Sequence, residues 1–110
     1  MSKSYVYHAY GEDVNVIPYK TRYISNNNTA IRLVVADGEY AGEEWNRISV
    51  NIDRLPENLM AVDTNNCSGA ERFLQEHGFG KPTGDVFHSG FCTYPIYRIN
   101  LDMIENDPEE

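Results

Sequence analysis

The stretch SGAERFLQEHGF, residues 68–79, carries start and stop signals for a helix in a 110-residue chain that otherwise has the pattern of strands. Ser68 with Glu71 three residues later forms a capping box, in which each side chain accepts a hydrogen bond from a free backbone amide of the first turn. The apolar residues that follow recur at helical spacing. The sequence therefore predicts that a helix begins at Ser68.

The other end of this stretch predicts where the helix stops. Gly78 can adopt the left-handed conformation that ends a helix, and Phe79 is then placed to contact Leu74, as in a Schellman motif. We expect one principal helix over about residues 68–77.

The segments on both sides of the helix are rich in tyrosine and β-branched residues and alternate with a period of two, which is typical of strands. They cover residues 5–10, 14–25, 29–36, 45–52 and 94–101. The segment GFGKPTGD, residues 78–85, is rich in turn-forming residues and indicates a connection. Together these elements predict an α+β fold, a mainly antiparallel sheet of about four to six strands with one helix packed on one face.

Length and charge define the domain. A chain of 110 residues suits one domain with a core of its own. The formal net charge is −8, and residues 102–110 contribute −5 of it, since they hold five acids and no base. We predict a single α+β domain over residues 1–101, followed by an acidic, disordered tail over residues 102–110.

The compartment follows from what the chain lacks. No run of 18 apolar residues occurs, and no apolar segment follows the first residues, so we expect neither a membrane span nor a signal peptide. These features predict a cytoplasmic protein. Cys67 and Cys92 are accordingly expected to be free thiols.

One arrangement offers a catalytic hypothesis. Cys67 lies just before the predicted helix, where free amides and the helix dipole lower the pKa of a thiol. His88 or His77 is the candidate base, and Asp63, Asn65 or Asn66 could orient the imidazole of His88. A small cysteine-dependent enzyme is therefore one alternative, and a buried, inert Cys67 is the other.

Metal, cofactor and nucleic-acid sites receive no support from the spacing of residues. The chain has no C-x-x-C or H-x-x-x-H pair, and its glycines around Lys81 lack the spacing of a phosphate loop, so we expect no metal and no cofactor. The net negative charge disfavours binding to DNA or RNA. An acidic DNA mimic fits the sign of the charge but not its concentration in the tail, and it is the second alternative.

Three strings prompt a resemblance. VDTNNC (residues 62–67), GFGKPTG (78–84) and SGFCTYPIY (89–97), in this order around the helix, resemble a family of short bacterial proteins known only as a domain of unknown function and carried largely on conjugative and other mobile elements. The likeness is specific over about the last third of the chain. It implies a small cytoplasmic accessory protein of a mobile element, and it implies no catalytic residues.

The leading hypothesis is a non-catalytic binding protein that engages an unidentified protein partner. Its candidate binding residues are Asn65, Asn66, Lys81, His88 and Tyr94. Small size, eight tyrosines and asparagine-rich loops favour this interpretation, because interfaces are enriched in tyrosine. Taken singly, each of these residues has a purely structural interpretation as well, in which it turns or caps the chain.

The stretch HSGFCTYP, residues 88–95, is expected to begin the last strand. A Ser-Gly turn within it would deliver Phe91 and Cys92 to the core and the Tyr94-Pro95 pair to the start of that strand.

Overall fold

The fold consists of nine strands, one α-helix and one short 3₁₀ helix (Leu101–Met103) within the residues that the structure, a computed structural model, describes, namely 3–9 and 11–108. The strands are β1 (Tyr5–Ala9), β2 (Glu12–Arg22), β3 (Thr29–Val35), β4 (Glu44–Arg47), β5 (Ser49–Val50), β6 (Leu59–Val62), β7 (Gly80–Ser89), β8 (Cys92–Ile99) and β9 (Glu105–Asn106), and the helix is α1 (Ala70–Glu76). Tyr10, the last residue of the first predicted strand, lies outside the described residues.

The strands form two sheets. The first sheet has the order β1-β2-β3-β4, antiparallel throughout, and β9 adds to β2 in parallel. The second sheet has the order β5-β6-β8-β7 and is entirely antiparallel. The predicted α+β class with mainly antiparallel pairing is therefore confirmed, whereas the prediction of a single sheet is wrong.

The chain passes from one sheet to the other at Ile48. The single strand predicted over residues 45–52 is divided there into β4 of the first sheet and β5 of the second. Ile48 is fully buried, and its amide donates to the carbonyl oxygen of Ile31 at 3.1 Å. Alternation is interrupted at this break, because Ile48 and Ser49 are both buried and Val50 is only half-buried. The period of two predicts the strand but not the change of sheet.

Two strands of the second sheet were not predicted. The apolar run Leu59–Val62 is β6, and the segment expected to be a connection from residue 78 forms the first part of β7. The ladder between β7 and β8 shifts register between Pro82 and Val86, and Gly84 has φ +91° within this irregularity. The turn-forming residues thus make a bulge inside a strand instead of a loop.

Helix α1 joins the two sheets. It contacts β1, the edge of the first sheet, and β7, the edge of the second. The ring of Phe73 lies 5.2 Å from the ring of Tyr7 on β1 and 5.5 Å from that of Phe79. Buried residues of both sheets and the helix form one core cluster, so the helix helps to close a core that the two sheets share. The predicted packing of the helix on one face of a single sheet is not confirmed.

The predicted capping box at the start of the helix is wrong. The N-cap is Gly69, with φ +86° and no side-chain hydrogen bond. The Ser68 carbonyl accepts a bond from the Tyr7 hydroxyl at 2.7 Å, and the Glu71 carboxylate accepts one from the Tyr97 hydroxyl at 2.8 Å. A Cβ atom at position 69 would lie 2.6 Å from the carbonyl oxygen of His8, so only glycine allows this approach to β1.

The predicted Schellman motif at the other end is confirmed. The amide of Phe79 donates to the carbonyl of Leu74 at 2.8 Å, and that of Gly78 donates to Gln75 at 3.3 Å. Gly78 has φ +74°, the left-handed conformation that the motif requires.

Residues 102–108, part of the segment that the sequence predicts as a disordered tail, pack on the domain in the structure. Ile104 is 3% exposed and belongs to the core, and β9 pairs with β2. The Asp107 carboxylate binds the Arg32 guanidinium in two places, with Nε–Oδ2 at 2.6 Å and Nη2–Oδ1 at 2.9 Å. The prediction for Glu109 and Glu110 falls outside the described residues.

Substitution of Gly69 tests the contact that places the helix. We expect Gly69→Ala to lower the free energy of unfolding by about 2–4 kcal/mol, because it adds a backbone clash to the strain of a positive φ. Gly38→Ala is the matched control: its φ is +84° and nothing lies within 4 Å of the added Cβ, so only about 1 kcal/mol is expected. If urea unfolding gives the same loss of unfolding free energy for both variants, the close approach of residue 69 to the His8 carbonyl does not have the role assigned to it.

Removal of the Asp107 carboxylate tests the anchoring of the C-terminal segment. Both side chains of the Arg32–Asp107 pair are under 10% exposed, so Asp107→Ala leaves a buried guanidinium short of its carboxylate partner and should destabilise by about 3–5 kcal/mol. Asp102→Ala, at an exposed position of the same segment, should change stability by less than about 0.5 kcal/mol. If the segment were disordered, the two variants would have the same thermal midpoint of unfolding.

Candidate functional site

Three of the five candidate binding residues lie near Asp63. The amide and side-chain nitrogens of Asn66 donate to the Asp63 carboxylate at 3.2 and 3.0 Å, and Asn65 is exposed in the same turn. A side-chain hydrogen bond with Cys92 raises the pKa of Tyr94, and the negative charge of Asp63 raises it further. This turn and β8 therefore meet at one end of the second sheet.

His88 does not join this group. It pairs with Thr93 across the β7–β8 hairpin, and its Nδ1 lies 3.0 Å from the Thr93 hydroxyl. Because neighbouring side chains on a strand point to opposite faces, Thr93 and His88 lie on the face opposite Tyr94. The structure thus separates His88 from the other predicted residues.

Lys81 shares the face of Tyr94 but lies at its far end. It pairs with Arg98, which is four residues from Tyr94 along β8, a separation of roughly 13 Å for an extended chain. Apart from His88, the predicted binding residues therefore mark two ends of one surface and do not form a compact pocket.

Cys67 has the environment of an inert thiol. It is 2% exposed, and its Sγ–H donates to the carbonyl oxygen of Arg47 at 3.3 Å. Burial, with the negative charge of Asp63 adding to it, raises the pKa of Cys67 to about 11, the opposite of what a nucleophile at a helix start requires. The described hydrogen bonds of His88 do not include Cys67. The geometry therefore does not assemble the thiol–imidazole pair.

The second sheet has an outer face that turns away from the core. Met60, Tyr97 and Ile99 belong to the core cluster, so the residues that alternate with them point outward. From the register, the apolar members of this outer face are Val50, Leu59, Ala61, Phe87, Tyr94 and Ile96. Ala61 and Ile96 are buried at its centre and the other four are half-buried. Helix α1 and the first sheet both pack on the opposite side.

The tip of the β7–β8 hairpin extends this outer face into solvent. Ser89 pairs with Cys92, so Gly90 and Phe91 form a two-residue turn, and Gly90 has φ +59°. Phe91 is completely exposed, and the expectation that it enters the core is wrong. Glycine at the first position of a two-residue hairpin turn is the sequence signal that would have located Phe91 beyond the last ladder pair.

Two other kinds of site are absent from the described ranges 3–9 and 11–108. Within them, no three histidine, cysteine or acidic side chains are grouped to hold a metal ion. The same residues include no helix with the length and apolar character to cross a membrane.

The two cysteines should differ sharply in reactivity. At pH 8 we expect iodoacetamide to modify half-buried Cys92 quickly and Cys67 slowly, because a pKa of about 11 leaves Cys67 with about one thiolate in a thousand. The variant Cys92→Ala isolates Cys67, and its modification should accelerate only when urea unfolds the protein. Fast modification of this native variant at pH 6 would restore the nucleophile hypothesis.

Comparison with known proteins identifies a family without an assigned activity. Residues 20–109 match the family described as "Domain of unknown function (DUF4313)". No curated protein and no solved structure matches the chain. The expectation of a family known only as a domain of unknown function is thereby confirmed. Because the match covers far more than half of its length, the chain belongs to the DUF4313 family.

Proposed function

We propose that this protein is a non-catalytic binding protein that engages a protein partner through the outer face of the second sheet. The observation that carries the proposal is Phe91, a fully exposed phenylalanine at the tip of a hairpin whose outer face is already apolar. An exposed aromatic side chain next to an apolar sheet face is typical of an interaction site.

The chemistry of the face supports a protein as the ligand. Phe87, Phe91 and Tyr94 are aromatic, and aromatic side chains dominate the energetic centres of protein interfaces. Polar groups lie at the margins, with Asn66 at one end and Lys81 at the other. An apolar centre with a polar rim is the arrangement expected of an interface that forms and dissociates in water.

The face is a better binding surface than the free edge of the sheet. β7 is the edge strand, and a partner strand would have to pair with its backbone. Pro82 has no amide hydrogen to donate, and the ladder is irregular from there to Val86. These two features blunt the edge, so we assign binding to side chains of the outer face.

We further propose that the protein acts in the bacterial cytoplasm as an accessory protein of a mobile genetic element, and that the partner is a protein of the host or of the element. The support is the resemblance of residues 62–67, 78–84 and 89–97 to proteins carried on such elements. The free state of both cysteines agrees with a reducing compartment.

The two alternatives have less support. A cysteine enzyme would need a reactive thiolate, and Cys67 is buried with a raised pKa. A DNA mimic would need its acids arrayed on a free surface, and Asp107 of the acidic C-terminal segment is instead occupied by Arg32. No observation favours either function over protein binding.

Affinity capture from cells that carry the native mobile element tests the proposal. We expect the wild-type protein to retain at least one partner protein. The amount of that partner captured by Phe91→Ser should be at least ten-fold lower, because an exposed aromatic anchor is removed. Ile24→Ser is the matched control, since Ile24 is equally exposed but lies at the β2–β3 turn of the first sheet. It should retain the partner.

The control also defines the result that would overturn the proposal. Both substitutions are at exposed positions and should leave the thermal midpoint nearly unchanged. If the two variants capture the same proteins in the same amounts, or if the wild type captures none, the outer face is not a protein-binding surface.

A further inference from the structure

A groove with a cavity volume of about 570 Å³ lies at the edge of the second sheet where β7 begins, between the Lys81–Arg98 pair and helix α1. Its polar lining combines two cations with three neutral amides, and Pro82 forms part of its wall. The side chains that line it include Lys81, Arg98, Asn58, Gln75, Asn100 and Pro82. The volume is in the range of sites that hold small molecules or a few side chains of a peptide.

The two cations face each other without a carboxylate between them. Lys81 and Arg98 are direct partners in the β7–β8 ladder, so their side chains lie together on the outer face. Like charges at directly opposed positions destabilise a sheet. Neither residue has an ion pair with an acid in the described part of the chain, and no aspartate or glutamate lines the groove.

This arrangement is unusual for a chain with 17 acids and nine bases. A second groove of about 570 Å³, on the first sheet, shows the contrast, because it is lined by arginines together with acids. There Arg32 binds Asp107 and Glu44, and Arg47 lies 3.6 Å from Glu44. The arginines of the first-sheet groove thus have acidic partners, whereas the Lys81–Arg98 pair has none within the described part of the chain.

The nearby helix does not supply the missing charge. Glu71 and Gln75 lie one turn apart on α1, and both are held by the Tyr97 hydroxyl. Gln75 Nε2 donates to that hydroxyl at 2.7 Å, and the hydroxyl donates to Glu71 at 2.8 Å. Glu71 is thus engaged beside the groove and does not line it.

We propose that the Lys81–Arg98 groove binds carboxylate side chains of an acidic segment in the partner protein. An ammonium group and a guanidinium fork together offer charged donors that match carboxylates. Arg98 follows Ile96 by two residues on the same face, so the groove is continuous with the apolar centre of the outer face. The inference rests on the proposed function, and it specifies the partner as a segment with apolar residues beside acidic ones.

An NMR titration of the purified protein tests the groove without any partner. The probe is a hexaglutamate peptide with blocked termini, and amide shifts of residues 80, 81 and 97–99 report its binding. We expect Lys81→Glu and Arg98→Glu each to weaken binding at least ten-fold, and 0.5 M NaCl to weaken it strongly. Arg54→Glu makes the same charge change at an exposed loop position and should stay within about two-fold of the wild type.

Either of two outcomes would overturn the inference. Equal weakening by Arg54→Glu would mean that the peptide responds only to net charge. Shifts caused by inorganic phosphate but not by the peptide would assign the groove to a phosphorylated small molecule. Lys81→Gln and Arg98→Gln remove the charge without reversing it. Each should weaken binding of the peptide, while the amide shifts of residues outside the groove stay unchanged. Because the capture experiment depends on Phe91 and this titration does not, each can fail alone.

Discussion

The close approach of Gly69 to the carbonyl of His8 is the constraint on which the rest of the fold depends. It sets the start of α1 directly against β1, where the Tyr7 hydroxyl also binds the Ser68 carbonyl. From that position Phe73 reaches into the core between the two sheets. A side chain at position 69 would push the helix away and open the gap between the edge strands, since a backbone carbonyl cannot move aside as a flexible side chain can.

The closed core determines which surface is left for binding. With the helix and the first sheet packed on the inner side of the second sheet, alternation along β8 sends Tyr97 and Ile99 inward and Tyr94, Ile96 and Arg98 outward. One strand therefore supplies both the core and the centre of the proposed interface. The stability of the surface is tied to the stability of the core, so a binding partner meets a largely preformed face.

Burial reverses two electrostatic expectations. Cys67 stands just before a helix, yet the same docking that positions the helix removes its thiol from water, and the cost of a buried thiolate outweighs the favourable helix dipole. The acidic C-terminal segment is held on the domain by Arg32, whose buried guanidinium pairs with Asp107 at 2.6 Å and with the more distant Glu44 at 3.7 Å. In both places the sequence indicates a charge, and the fold decides whether that charge reaches solvent.

Local chemistry in the sequence was enough to determine the α+β class, the alternating strands and the end of the helix, because Gly78 and a period of two act over a few residues. The tertiary structure alone decided the rest. The change of sheet at Ile48, the glycine cap at Gly69 and the pairing of Lys81 with Arg98 each depend on contacts between distant segments. No local pattern records such contacts, since they exist only when the two sheets close around a shared core.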